Sequence, residues 1–158
     1  MMDLVVRRAR LRGSPELQDI GIDGGIIRTL APTLEVPGRE EIDAAGHLTT
    51  PPLGDPHLHL DAVLSAGNPR HNESGTLLEG IAIWGERKKD LPRQVLVENA
   101  VEAVLWEFAH GVQFIRTHAD TTDPTLGTVD ALVAVKDRMK DLVEIQIVAF
   151  PQDGVFTT

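Results

Sequence analysis

The sequence predicts an α/β protein: a block of short strands followed by repeated strand–helix units that share a parallel sheet. Three observations carry this. Apolar strands within 48–60, at 112–118 and at 143–150 are separated by stretches of helical periodicity, and parallel neighbours need such crossovers. Before residue 48 the pattern is different, with short alternating runs cut by Gly and Pro. The polar, reactive side chains gather where the three later strands end: His57 and His59, then His118 with Asp120, then Gln152. We therefore divide the 158-residue chain into strands of a small, partly open β-sandwich at 1–47 and successive βα units at 48–158.

Taken in order, Asp3 to Arg10 is a strand centred on Val5 and Val6, and Gln18 to Ile22 alternates Ile20 with Ile22. Asp23-Gly24-Gly25 then gives a tight hairpin signal, with Ile26 to Leu30 as the returning strand. Pro32 to Arg39 is a loop with two prolines, and Glu41 to Gly46 is a further strand and turn.

The strand within Leu48 to Leu60 leads to a polar loop from Ala66 to Gly75. Thr76 to Lys89 is helical, with Leu77, Ile81 and Trp84 on one face. Pro92 suits the first position of the next helix, in which Val97, Val101, Val104, Leu105 and Phe108 form the apolar stripe and Gly111 the C-terminal stop. Val129, Leu132, Val135 and Met139 mark a third helix between the strands at 112–118 and 143–150. Two architectures satisfy this order, an open doubly wound sheet and a (β/α)8 barrel. No G-x-G-x-x-G or G-x-x-x-x-G-K-[ST] follows any strand, which disfavours a nucleotide-binding sheet. Active residues at the strands' carboxyl ends are what a barrel displays, although only three of eight strands precede Thr158.

Composition narrows the chemistry. A net charge of −9, with Arg87-Lys88-Lys89 as the one dense basic run, argues against nucleic acid and anionic membrane as partners. That run reads as the solvated end of a helix. The absence of cysteine removes disulfides, thiolate metal sites and a cysteine nucleophile, and fits a reducing cytoplasm. No segment has the length of a transmembrane helix or the form of a signal peptide. Ser14, Ser65 and Ser74 lie outside any G-x-S-x-G elbow.

His57-Leu58-His59-Leu60-Asp61 is the stretch richest in chemistry. Alternation puts both imidazoles on one face of a strand, with Cα atoms roughly 6.6 Å apart at ~3.3 Å per residue. That spacing lets two rings converge on one ion, and neutral imidazole suits zinc and iron. The plain alternative is a pair of histidines hydrogen-bonded at a strand end.

Several segments together resemble a known family. Ile42-Asp43-Ala44-Ala45-Gly46 and then Pro51-Pro52-Leu53-Gly54-Asp55-Pro56-His57-Leu58-His59-Leu60-Asp61 resemble the entry signature of the amidohydrolase superfamily, in which most members have Pro-Gly in place of Pro51-Pro52. The double proline, Asn72 to Ile81, Trp84 to Lys88, Arg116-Thr117-His118-Ala119-Asp120 and Gln146 to Gly154 are similar to the bacterial cytosine deaminases within it. The resemblance implies the N-terminal part of a metal-dependent (β/α)8 TIM barrel, incomplete in this chain, preceded by sandwich strands. It implies one divalent ion, Fe(II) or Zn(II), that activates water for attack on the ring carbon bearing an exocyclic amine, with cytosine giving uracil and ammonia. His57 and His59 match metal ligands, Gln152 a glutamine that reads the pyrimidine edge, and Leu77 and Phe150 pocket walls. No catalytic acid or base of the family matches a residue of this chain. The resemblance also implies a small-molecule substrate and a homo-oligomer at full length.

Asp61 is a candidate to orient a ligand imidazole, with loop capping as the alternative. His118 and Asp120 are candidates to stand behind the ligands or to face substrate, or else to form a structural pair. A related enzyme acting on a triazine or another cyclic amine or amide is the enzymatic alternative to a cytosine deaminase. The 158-residue chain by itself is expected to be inactive, because two imidazoles leave a metal under-coordinated.

Overall fold

The computed structural model describes residues 1–154. The chain separates into two compact units, Met1–Pro51 and Pro52 onward. The division falls slightly later than the sequence pattern suggests. The expected strand within 48–60 is in fact two strands interrupted at Thr50–Pro52, and the first of them belongs to the first unit. Proline has no N–H to give to a ladder, so the double proline ends one sheet before the next begins.

The first unit is built from β1 (Met2–Leu11), β2 (Leu17–Asp23), β3 (Ile26–Ala31), β4 (Gly38–Asp43) and β5 (Leu48–Thr49). They form one sheet in the order β3-β2-β1-β4, with β5 also pairing β1. β1, β2 and β3 run antiparallel in sequence, whereas β4 and β5 both run parallel to β1. Gly24 and Gly25 sit at φ +58° and +72°, the left-handed pair that a two-residue hairpin between Asp23 and Ile26 demands. Val5, Ala9 and Ile20 are its buried apolar residues. Arg7 is locked in place by Asp19 at 3.1 Å and Glu41 at 2.7 Å. A facing second sheet, which the expected sandwich requires, is not formed by the described residues of this unit.

Gly38 opens β4 where there is no room for a side chain. A Cβ there would lie 2.3 Å from the Glu40 carbonyl oxygen and 2.9 Å from Val5 N. Gly38→Ala is expected to destabilise this sheet by about 1–3 kcal/mol, read as a lower urea midpoint.

The second unit follows the predicted order: β6 (Leu53–Leu58), α1 (Leu77–Lys88), α2 (Arg93–Ala109), β7 (Val112–Asp120), α3 (Gly127–Met139) and β8 (Glu144–Phe150). β6, β7 and β8 form a parallel sheet in that order. Thr76 caps α1 by accepting from Glu79 N. Pro92 is the residue before α2, one place earlier than expected, and Gly111 at φ +90° stops that helix. The buried face of α2 is Leu96, Ala100, Val101, Ala103 and Val104, while Leu105 remains 40% exposed. Of the predicted stripe, Val101 and Val104 are buried and Val97 and Phe108 pack against the core; Leu105 alone stays outside, and Ala100 and Ala103 are buried instead. Leu132, Val135 and Met139 of α3 are buried as predicted and pack with Ile115, Ala119 and Ile145 of the sheet.

β7 shows how the sheet sorts its side chains. Ile115, Thr117 and Ala119 are buried, whereas Phe114 and Arg116 on the alternate positions are exposed and His118 is half-buried. Arg116 Nε donates to Gln146 Oε1 of β8 at 2.7 Å on that second face. A hollow of about 330 Å³ opens there between Asp55, Phe114, Arg116, Glu144 and Gln146.

Candidate metal centre

The carboxyl ends of β6 and β7 bring three imidazoles together. His57 is the next-to-last residue of β6 and His59 lies just beyond the strand. The pairing of Leu58 with Thr117 sets both beside His118. Ring centroids are 5.4 Å apart for His57–His59, 4.0 Å for His57–His118 and 5.6 Å for His59–His118. Phe150, the last residue of β8, presents an edge contact to His59 at 5.3 Å and to His118 at 5.8 Å. None of the three histidines lines the hollow described above, so the reactive end of the sheet and its open middle are separate places.

The backbone around the pair is held by side chains. Asp55 Oδ1 accepts from His57 N at 2.8 Å, and the buried Thr117 hydroxyl accepts from Leu60 N at 3.0 Å. Asp61 is buried, and one of its oxygens accepts from Asp120 N at 2.8 Å. The other, Oδ1, has no hydrogen-bond partner and lies 3.6 Å from His59 Nδ1. That is long for a hydrogen bond but close enough for the carboxylate to attract the ring proton. Asp61 raises the His59 pKa, and partial burial opposes it. A proton held at Nδ1 leaves Nε2 as the lone-pair nitrogen for an ion. Burial lowers the His118 pKa, with His57 and His59 adding to the effect, and His118 Nδ1 is buried without a partner.

The two imidazoles of the strand-end motif therefore fit a divalent ion: they share a face, His57 is exposed, and a carboxylate stands behind His59. Among the described residues no group of three or more His or carboxylate side chains is arranged to hold an ion. Two imidazoles are fewer donors than the four of a tetrahedral site.

The other predicted residues are dispersed. Asp120 turns its carboxylate toward α1, where Trp84 Nε1 and Lys88 Nζ each donate to Oδ2 at 2.8 Å. Lys88 also reaches Asp153 at 2.8 Å. The reading of Arg87-Lys88-Lys89 as a solvated helix end is corrected here: Arg87 is buried and Lys88 is bound to two carboxylates across the chain. Burial pushes the Asp120 carboxyl up, but donors from Lys88, Thr122 and Trp84 outweigh it and hold the group at about 2. Gln152 is half-buried in the turn after β8, and its side-chain amide makes no hydrogen bond with the described residues. Leu77 opens α1 at 78% exposure. Trp84 and Lys88 were missed as partners of Asp120; their i, i+4 spacing on α1 was the available signal.

No family model matches the chain. It is similar to the structure of a 5-methylcytosine deaminase from Klebsiella pneumoniae liganded with phosphonocytosine, at 41% identity and a TM-score of 0.90 over 97% of this chain and 38% of that one. It is similar to N-isopropylammelide isopropylaminohydrolase from Burkholderia multivorans ATCC 17616, at 29% identity and a TM-score of 0.79 over 99% of this chain and 39% of that one. Among curated proteins, N-isopropylammelide isopropyl amidohydrolase of Pseudomonas sp. (strain ADP) is 31% identical over 98% of this chain and 40% of its own length. The chain thus spans about two fifths of the length of each of these relatives.

Proposed function

Because this chain belongs to the amidohydrolase superfamily, we propose that it carries the opening metal-ligand pair of an enzyme that removes an exocyclic amine from a nitrogen heterocycle by hydrolysis. The observation that supports this most is the convergence of His57 and His59 at the carboxyl end of a parallel sheet, with Asp61 behind His59. Likeness at 41% identity to a deaminase liganded with a cytosine analogue favours cytosine, or a cytosine substituted at C5, as the substrate.

In this reading His57 and His59 hold one divalent ion, Fe(II) or Zn(II), which supplies the activated water that hydrolysis needs. Asp61 fixes the tautomer and orientation of His59. Gln152 offers an amide donor and an amide acceptor, which suits the mixed edge of cytosine. Phe150, already against two of the imidazoles, provides an apolar wall, and Leu77 a second one. His118 fills the space beside His57 and keeps that ring from rotating. Water and cytosine give uracil and ammonia, with the exocyclic amine as the leaving group. In this reading the enzyme acts in the cytoplasm.

The test is ammonia release by the full-length enzyme carrying this segment, offered cytosine, 5-methylcytosine and N-isopropylammelide in parallel. Turnover of a cytosine supports the proposal. Turnover of the ammelide alone replaces it with the second reading, a triazine amidohydrolase, which the 31% identity to such an enzyme favours. Gln152→Ala is expected to raise KM for the preferred substrate about tenfold or more, since it removes a hydrogen-bonding pair from the substrate edge. An unchanged KM would remove Gln152 from the site.

A further inference from the structure

Arg87 is a cation that the chemistry above does not use. It is 8% exposed, and its Nε and Nη1 are both shut off from solvent with no hydrogen-bond partner. The acids nearest along its helix are already engaged: Arg70 pairs with Glu79 at 2.7 Å and with Glu86 at 3.0 Å. No carboxylate among the described residues pairs with Arg87. A guanidinium cannot shed its proton, so a fold that buries one leaves a strong demand for a counter-charge. Burial alone pulls its pKa down, and nothing in its surroundings pulls it back.

Arg87 lines a cavity of about 270 Å³ between α1 and the segment that follows the histidine motif. Gly80, Ile83 and Arg87 recur on α1 at the spacing of one helix face, and Asn68 and His71 come from the opposite wall. Gly67 at φ +79° lets His71 come close: a Cβ on that glycine would lie 2.8 Å from the imidazole Cε1. Asn72 is occupied in holding the loop, through Thr76 O and Gly75 N. Asn68 and His71 make no side-chain hydrogen bond with the described residues. The space is several times that of a water molecule. Of its donor side chains, Ser65, Arg70, Asn72 and Trp84 already donate elsewhere, which leaves Arg87, Asn68 and His71.

We propose that this cavity binds a small oxyanion, a carboxylate or a phosphate, with Arg87 as the charged anchor and Asn68 and His71 as supporting donors. A planar guanidinium matches two oxygens of either group at once. The cluster of Arg70 with Glu79 and Glu86 sums to one negative charge, so long-range attraction is weak and affinity rests on the hydrogen bonds inside the cavity. The site does not depend on the metal pair, so its test is independent of the deaminase reading.

The experiment is an Nε–Hε correlation spectrum of the full chain labelled with 15N-arginine, titrated with sodium phosphate and with sodium acetate against sodium chloride at equal ionic strength. One resonance, identified by its loss in Arg87→Lys, is expected to move saturably with an oxyanion and not with chloride. Movement with phosphate alone assigns a tetrahedral anion, and movement with both assigns oxyanions generally. Calorimetry should show phosphate affinity at least tenfold weaker in Arg87→Lys. Should that variant fail to fold, through-bond connectivity in a uniformly 13C- and 15N-labelled sample identifies the resonance in the wild-type chain. No saturable shift at Arg87, or the same shift at exposed Arg12, overturns the proposal.

Discussion

Alanine in place of His57 or His59 is expected to lower the metal content of the purified full-length enzyme to background after dialysis and to reduce kcat/KM by about a thousandfold or more. The floor for this estimate is the effect of losing a group behind a ligand, which already weakens metal affinity about 10- to 100-fold. Losing the ligand itself removes a bond and leaves too few donors to retain the ion that lowers the pKa of the reacting water. His57 is exposed and His59 retains about a third of its side-chain exposure, so neither truncation opens a large core cavity. Circular dichroism and thermal midpoint should therefore stay close to those of the metal-free wild type, separating loss of metal from loss of fold. Asp61→Asn is the graded control. Its carboxamide oxygen can still accept from Asp120 N, so the loop is kept while the charge beside His59 Nδ1 is lost. Affinity should then fall within that 10- to 100-fold range. Unaltered metal stoichiometry in a His57→Ala/His59→Ala double variant would dispose of the centre altogether.

What the chain discloses by itself depends on the distance over which each feature is determined. The pairing of His57 with His59 on one face is a two-residue effect, and alternation alone predicts it. The β-branched runs at 112–118 and 143–150, bracketed by helix periodicity, likewise announce parallel strands, and β6-β7-β8 follow. The addition of His118 to the pair is less legible, because it needs the register of Leu58 against Thr117, which no local pattern contains. The same limit explains Lys88. Its neighbours Arg87 and Lys89 make it look like part of a solvated run, and the carboxylate that claims it belongs to a strand on the far side of the next helix. On α2 the error came from weighting large side chains: Ala100 and Ala103 carry little hydrophobicity but permit close approach, and they, not Leu105, face the core. The break at Thr50–Pro52 was written in the double proline, yet the continuous low charge from Leu48 to Leu60 concealed that two sheets share that stretch.

Lys88→Met should be the most damaging single change on α1, costing about 3–5 kcal/mol of unfolding free energy. The side chains of Lys88 and Asp120 are 19% and 3% exposed and meet at 2.8 Å. Removing the ammonium leaves a buried carboxylate with only neutral donors, Trp84 at 2.8 Å and Thr122 N at 2.9 Å. Methionine keeps the volume and the stem packing, so the loss reports charge rather than shape. Adding Asp120→Asn should recover much of it, since the orphaned charge disappears while the donors from Trp84 and Thr122 retain an acceptor. The pH dependence follows from the same balance. Folded Asp120 titrates at about 2, below the ordinary carboxylate value, so on acidification the unfolded chain takes up this proton first. The group's contribution is complete above about pH 4 and is lost as pH falls through about 2. In Lys88→Met burial regains weight, the folded pKa rises, and that acid-side slope should flatten or reverse. Urea unfolding between these limits, followed by tryptophan emission, tests both points, because Trp84 touches Asp120 directly while Trp106 is 54% exposed. Equal destabilisation in Lys88→Met and in the double variant would mean that the loss does not come from an orphaned Asp120 charge, and the account of a buried carboxylate held by its cation would then fail.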